Sequence, residues 1–106
     1  LEEKLRAFLK SGPDWARLKT NVPGVFLLKL PPFRGSSARL AVELNPVDSA
    51  GNPTKRRGLI VRNEEELRGY EVIFQSEKLR PLLESVEAVN PTERRAAKPG
   101  EDILEI

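Results

Sequence analysis

Basic side chains and aromatic rings are the residues of this sequence whose types and spacing point to chemistry. Residues 29–62 carry seven lysines and arginines against two acids, Glu43 and Asp48, whereas residues 63–106 carry six against eleven. A surface that gathers cations attracts phosphates. Exposed rings beside such a surface stack on unpaired bases. The middle of the chain therefore favours a surface that binds single-stranded nucleic acid.

The candidate binding residues lie in the predicted strands and loops of this basic region and just before it. Phe33 stands in a loop of Pro, Gly and Ser without apolar neighbours, which makes it the best candidate for an exposed ring, and Trp15 is the second. The cations of the set flank the predicted strands and would track the phosphates. The full set comprises Trp15, Lys29, Phe33, Arg34, Arg39, Lys55, Arg56, Arg57 and Arg62.

Purely structural explanations compete for several of these residues. The Lys55-Arg56-Arg57 cluster also fits a solvated strand end, and Trp15 also fits a core or capping residue. One solvent-facing surface of the sheet is expected to collect Lys29 and Arg39 with some of the later cations. Because successive side chains alternate across a sheet, Arg57 and Arg62 are expected on opposite faces unless one lies beyond the strand end.

Catalysis is disfavoured by the residues that the sequence lacks. The chain contains no histidine and no cysteine, which excludes Ser-His and Cys-His catalysis and the common zinc sites within one chain. Glu64, Glu65 and Glu66 are explained as the first turn of a helix, where acids are stabilised by the helix dipole. No phosphate-binding glycine motif occurs. We expect no enzyme, no cofactor and no metal, although Mg²⁺ chemistry on carboxylates stays open as the least favoured alternative.

The hydrophobic pattern predicts an α+β fold. Residues 2–10 form an amphipathic helix, residues 13–18 are expected to add a helical turn, and strands are predicted over Val25–Leu30, 39–47 and 55–62. Short links between them indicate an antiparallel meander of three to four strands. In the strand over 39–47, Leu40, Val42 and Leu44 are expected in the core and Arg39, Ala41 and Glu43 in water.

Two helices are predicted after the sheet. Asn63 begins the first, and Ser76 is the expected N-cap of the second, which ends at Asn90-Pro91. A stripe of apolar residues on the second helix is expected to join the core: Leu79, Leu82, Leu83, Val86 and Val89. The domain is predicted over residues 1–91, with a polar linker at 92–101. Residues 102–106 are expected to form an edge strand or to begin a segment that is missing from this sequence.

Neither a membrane span nor a signal peptide is predicted. No apolar run approaches the roughly 20 residues that a bilayer requires. The first ten residues are amphipathic and do not form the apolar stretch of a signal sequence. We therefore expect a cytoplasmic protein.

Several motifs of residues 23–91 resemble the archaeal single-stranded DNA-binding family called ThermoDBP and its related proteins, which occur in hyperthermophiles. The motifs are the loop PPF at 31–33, the strand ending VELNP at 42–46, the turn DSAGNP at 48–53, the segment RRGLIVRNEEEL at 56–67 and a leucine-rich helix ending in NP. None of them is a catalytic signature.

The resemblance implies a sheet of about four antiparallel strands packed with helices, and a basic cleft that holds single-stranded DNA or RNA. It points to Phe33, Arg34, Arg39, Lys55, Arg56, Arg57 and Arg62, the residues that the charge pattern also selects. The founding member dimerises through a C-terminal leucine-rich helix. This sequence shows no such heptads up to Ile106. The resemblance therefore does not define the oligomeric state, and a homo-oligomer stays open. The alternative is a protein-interaction or assembly domain that does not bind nucleic acid.

Overall fold

The structure, a computed structural model, describes residues 1–91. Its elements in chain order are α1 (Glu2–Ser11), β1 (Arg17–Lys19), β2 (Val25–Leu30), β3 (Arg39–Leu44), β4 (Leu59–Val61), α2 (Glu64–Phe74) and α3 (Leu79–Val89). The predicted α+β class is confirmed: an N-terminal helix, an antiparallel sheet and two C-terminal helices. The contacts divide the chain into two compact units, Leu1–Val72 and a unit from Ile73 onward, where the sequence predicted one domain over 1–91.

All four strands pair with their neighbours in chain order, β1-β2-β3-β4, and every pair is antiparallel. Residues directly opposite one another share a face. Phe26 lies opposite Glu43, Leu28 opposite Ala41 and Leu30 opposite Arg39, which defines what we call the Phe26 face. The other side, the Leu27 face, carries Leu27, Leu40, Val42, Leu44 and Val61.

The segment predicted as a helical turn over residues 13–18 is a single turn followed by strand β1: the Ala16 N–H donates to the Pro13 carbonyl at 3.1 Å, and β1 begins at Arg17. The Trp15 N–H donates to the Lys29 carbonyl at 2.7 Å, and the Lys29 N–H donates to the Ala16 carbonyl at 3.0 Å. These bonds extend the β1–β2 ladder back toward Trp15. Because β2 provides hydrogen-bond partners for the Trp15 N–H and the Ala16 carbonyl, these groups are satisfied without a helix.

The predicted burial is wrong for three of the six residues of β3. Ala41 and Glu43, expected in water, are buried on the Phe26 face, while Val42, expected in the core, is 37% exposed on the opposite side. The alternation itself is as predicted. Leu28, Leu30 and Ala41 form the core cluster, with Ile60 packed against it. Strand β2 presents Phe26, Leu28 and Leu30 to this face, and all three are buried beside the carboxylate that β3 contributes.

The turn between β3 and β4 forms as predicted, but both strands are shorter than expected. The Asp48 carboxylate accepts the N–H groups of Ala50 at 3.0 Å and Asn52 at 2.9 Å, and Gly51 has a φ of +84°. Such a turn requires glycine at the positive φ. Strand β3 ends at Leu44, and β4 begins only at Leu59. Residues 55–58 therefore lie outside the ladder.

Helices α1 and α2 match their predictions, and two side-chain hydrogen bonds cap the start of α2. The Asn63 side-chain oxygen accepts the Glu66 N–H at 2.8 Å, and the Glu66 carboxylate accepts the Arg62 N–H at 2.8 Å. Ser76 does not cap α3 directly: its hydroxyl accepts the Lys78 N–H at 3.3 Å in a turn that precedes the helix at Leu79.

The apolar stripe of α3 is not a core stripe in the described residues, and that prediction is wrong. Leu82, Leu83, Val86 and Val89 are exposed. The edge strand predicted for 102–106 lies outside the described residues. Within residues 1–91, no helix is both long and apolar enough to cross a bilayer.

Alanine substitutions at Gly58 and Gly69 provide a matched test of how closely the backbone packs at Gly58. A Cβ at Gly58 would lie 2.8 Å from the Asn45 Cβ and 2.9 Å from the Leu44 carbonyl carbon, with the Leu44 carbonyl oxygen nearer still. A Cβ at Gly69, within α2, meets nothing within 4 Å. Since backbone atoms cannot yield as a flexible side chain does, we expect Gly58→Ala to lower the free energy of unfolding by about 1–3 kcal/mol.

Gly69→Ala is the control and should raise the free energy of unfolding by up to about 1 kcal/mol, because alanine favours the helix. Urea unfolding of both variants measures these changes. Equal stabilities of the two variants would contradict the tight approach of Gly58 to β3.

Candidate nucleic-acid interface

An open cleft of about 500 Å³ lies on the Phe26 face, where β2 ends and β3 begins. Leu30 and Ile60 supply its apolar floor, and polar and aromatic side chains supply its walls. The lining residues are Trp15, Leu30, Pro31, Phe33, Ser36, Ser37, Arg39, Ile60 and Arg62. Four of the nine residues selected from the sequence therefore line one cleft: Trp15, Phe33, Arg39 and Arg62.

Two more of the selected residues, Arg34 and Arg57, contact aromatic rings that line the cleft. The Arg57 guanidinium carbon lies 4.3 Å from the centroid of the Trp15 ring, and that of Arg34 lies 5.1 Å from the Phe33 ring. Both distances are within the range of cation–π attraction. Phe33 is 68% exposed and Trp15 46%, so each ring keeps surface open to a ligand. Each wall of the cleft thus offers a ring with a guanidinium beside it.

Arg57 and Arg62 both lie at the cleft, and neither belongs to β4. The strand covers only Leu59–Val61, so the alternation that would separate the two arginines does not apply to them. Arg62 lines the cleft together with Ile60, and Arg57 contacts the ring of Trp15, another lining residue. Lys55 and Arg56 are exposed beside Arg57 and do not line the cleft.

Lys29 does not belong to the solvent-facing surface, and its predicted grouping with Arg39 is wrong. It pairs with Leu40, whereas Arg39 pairs with Leu30, so the two cations lie on opposite faces. Lys29 is only 7% exposed, and its ammonium donates to the Gly12 carbonyl at 2.7 Å. Its charge therefore ties the end of α1 to β2.

The cleft cations keep their charge unneutralised. In the part of the chain that the structure describes, the ion pairs are Arg6 with Glu2 and Arg17 with Glu43. None of the arginines at the cleft, residues 34, 39, 57 and 62, pairs with a carboxylate there. Clustered charges of one sign raise the local concentration of opposite charges. The cleft is accordingly an anion-attracting surface with rings in its walls.

Two residues with a strained backbone, Trp15 and Arg34, lie at the cleft. Among residues 1–91, Trp15 at 66° and Arg34 at 46° are the non-glycine residues with positive φ. Phe33 and Ser36 exchange backbone hydrogen bonds of 3.1 and 2.9 Å around Arg34 and Gly35, both at positive φ, which is the arrangement of a two-residue hairpin turn. A left-handed conformation costs a non-glycine residue roughly 1–2 kcal/mol. The tight turn places Arg34 beside the Phe33 ring.

On the Phe26 face, which also carries the cleft, Glu43 is fully buried, and both of its carboxylate oxygens accept hydrogen bonds. Its carboxylate accepts Arg17 Nε at 2.6 Å and Arg17 Nη2 at 3.0 Å, a bidentate pair. It also accepts the Gly58 N–H at 2.7 Å and the Asn45 side-chain amide at 3.4 Å. A buried carboxylate is tolerated when it is paired and hydrogen-bonded in this way. We call Arg17, Glu43 and Asn45 the buried clamp.

The buried clamp holds the backbone of the basic segment, residues 55–58. Asn45 donates to the Lys55 carbonyl at 2.8 Å and accepts the Lys55 N–H at 3.1 Å, while Arg17 donates to the Arg56 carbonyl at 3.0 Å. With the Gly58 N–H on Glu43, four backbone groups of the segment are bonded to the clamp. The sequence pattern does not identify these residues as functional. The one signal is Glu43, a lone carboxylate among the apolar residues of 40–44, which alternation assigned to water.

The chemistry that these groups support is recognition through cations and rings. Residues 1–91 contain no cluster of three acidic, histidine or cysteine side chains suited to a metal ion. Comparisons of the chain with protein-family models, with curated proteins and with solved structures gave no match. The residues of the cleft alone therefore define the class of site.

Glu43 makes the stability of the fold depend on pH. Burial raises the pKa of Glu43, but the hydrogen bonds from Arg17, the Gly58 N–H and Asn45 outweigh it, and the pKa falls below the ordinary 4.5. The folded state therefore holds this proton less tightly than the unfolded state. The stabilisation is complete above about pH 4.5 and is lost as the pH falls through the lowered value.

Glu43→Gln tests this dependence. At pH 7 we expect the variant to lose roughly 3 kcal/mol of unfolding free energy, because Arg17 keeps a charge without its carboxylate. The gap from wild type should narrow as the pH falls from 5 to 3 in urea titrations. A gap that stays constant across that range would contradict the lowered pKa.

Proposed function

We propose that this protein binds single-stranded DNA, without sequence specificity, in the cleft that Trp15 and Phe33 line. The observation that carries the proposal is the meeting of two exposed rings and four unneutralised arginines around one open cleft. The cations attract the phosphates, and the rings offer stacking surfaces to the bases. Stacking is tolerant of sequence because every base has a π-face.

The cleft favours single strands over duplex for a geometric reason. Bases of a duplex are paired and stacked on one another, so they cannot lie on a side chain unless they are unpaired. The rings of Trp15 and Phe33 contribute binding energy only to bases that are free to rotate onto them. A duplex would gain only the phosphate contacts, and the salt-dependent part of the affinity would be all that remains.

The motif resemblance to the archaeal ThermoDBP proteins supports DNA as the ligand and a cytoplasmic role in a hyperthermophile. The cleft residues Phe33, Arg39 and Arg62 lie within the motifs that carry the resemblance or directly beside them. Arg34 and Arg57, on the two rings, also lie in that part of the sequence. Five of the seven residues to which the resemblance points therefore lie at the cleft or on its rings.

A second candidate function is a protein-interaction or assembly role. The observation that favours it is the exposed apolar stripe of α3, with Leu82, Leu83 and Val86 uncovered. Apolar clusters of this kind mark protein interfaces. Failure to bind any nucleic acid at low salt would leave this candidate in place of the first.

Salt and charge variants test the proposed function. By fluorescence anisotropy, a single-stranded oligonucleotide should bind more tightly than its duplex, and log K against log salt should have a slope of about −0.7 per phosphate neutralised. Arg39→Gln and Arg62→Gln should each reduce the slope by about 0.7. Lys4→Gln, an equal charge change on α1 away from the cleft, is the control and should leave the slope unchanged.

Phe33→Leu isolates the stacking contribution. The variant keeps an apolar side chain and the net charge but removes the ring, so we expect single-stranded DNA to bind about 1–3 kcal/mol more weakly with the same salt slope. Val42→Ala, on the Leu27 face, is the control and should bind as the wild type does. Unchanged affinity of Phe33→Leu would show that Phe33 does not stack on a base.

A further inference from the structure

We infer that Glu43 and Asn45 are positioning residues for nucleic-acid binding: both are buried and neither lines the cleft, and they set the conformation of the basic segment before the ligand arrives. The inference rests on the proposed function. Both side chains are almost completely buried, at 0% and 1% exposure, so neither meets the ligand. Their partners are backbone groups of the segment that carries Arg57.

The basic segment has no ladder of its own to fix it. Strand β4 begins at Leu59, and the β3–β4 register runs only from Leu44 with Leu59 to Val42 with Val61. Residues 55–58 are instead bonded to side chains: Lys55 to Asn45 on both its N–H and C=O, and Gly58 to Glu43. The approach of Gly58 to the Leu44 backbone leaves no room for a side chain there.

The same side chains connect the segment to the Trp15 wall of the cleft. Arg17, two residues after Trp15, bonds Glu43 through two nitrogens and the Arg56 carbonyl through one of them. Arg57 follows in the chain and stacks on the Trp15 ring at 4.3 Å. The clamp thus holds the backbone on both sides of this ring–cation pair. A site that is ordered in advance loses less conformational entropy when it binds.

Neutralising Glu43 should change the affinity for nucleic acid in opposite directions, according to whether its charge or its positioning role dominates. Glu43→Gln raises the net charge by one, so attraction of phosphates alone would strengthen binding. If the carboxylate positions the basic segment, its loss lowers the population of the binding-competent conformation, and the apparent affinity falls by that fraction. The sign of the change therefore separates the two explanations.

Asp48→Asn is the matched control. It changes the net charge equally, in the same hairpin, and its side-chain oxygen still accepts the Ala50 and Asn52 N–H groups that fix the turn. Asn45→Ala is the second clamp variant. It removes both bonds to Lys55 without changing the charge, and it keeps the test decisive if Glu43→Gln does not fold.

The experiment measures binding of a dT oligonucleotide at pH 7 by anisotropy, at a temperature where circular dichroism shows every variant folded. We expect Glu43→Gln and Asn45→Ala to bind about tenfold more weakly than wild type, as a tenfold fall in the competent population requires. Asp48→Asn should bind at least as tightly as wild type. In the free protein, emission of Trp15, the single tryptophan, should change in both clamp variants and not in Asp48→Asn, because Arg57 leaves the ring.

The outcomes are distinguishable. Clamp variants that bind as Asp48→Asn does, with wild type binding normally, would overturn the positioning role and leave the proposed function intact. A wild-type protein that does not bind dT at low salt would overturn the proposed function and, with it, the positioning role. Weaker binding of the clamp variants together with the change in Trp15 emission supports the inference.

Discussion

The rest of the Leu1–Val72 unit depends on the satisfaction of one buried carboxylate. Taking the charge of Glu43 out of water costs several kcal/mol, and removing one partner from such a buried pair destabilises a protein by about 3–5 kcal/mol. Arg17, Gly58 and Asn45 together satisfy both carboxylate oxygens, and no buried side-chain nitrogen or oxygen within residues 1–91 lacks a partner. This requirement ties the edge strand β1, the central strand β3 and the basic segment into one arrangement.

The cleft follows from that arrangement. Arg17 anchors β1, whose ladder with β2 extends back to Trp15 and holds it at a positive φ. Asn45 and Glu43 hold the segment that carries Arg57 against the same ring. The Phe33 part of the cleft forms independently of the buried clamp: a two-residue turn places Arg34 beside the Phe33 ring. Rings and cations from distant parts of the chain thereby share one open face.

Elements with strong local signals were predictable, and elements made by long-range bonds were not. Helix α1, strand β2 and helix α2 follow from periodicity and capping residues that act within a few positions. Strand β1 has three residues and no periodicity, and it forms because β2 satisfies its backbone. The Lys55–Arg62 stretch looks like a strand, yet its first half is held by side chains instead. Alternation gave the period of β3 but not its orientation, because the pairing with β2 decides which face is covered.

Taken alone, the sequence determined the kind of chemistry available to this protein. It has no histidine or cysteine, a basic middle and a few rings, and composition is independent of conformation. Tertiary structure decided which of those residues meet. It brought Trp15, Phe33, Arg39 and Arg62 to one cleft, placed Arg57 on a cleft ring and turned Lys29 inward to Gly12. The physical reason is that strand register and the bonds of a buried carboxylate join residues far apart in the chain, and no local pattern encodes those partners.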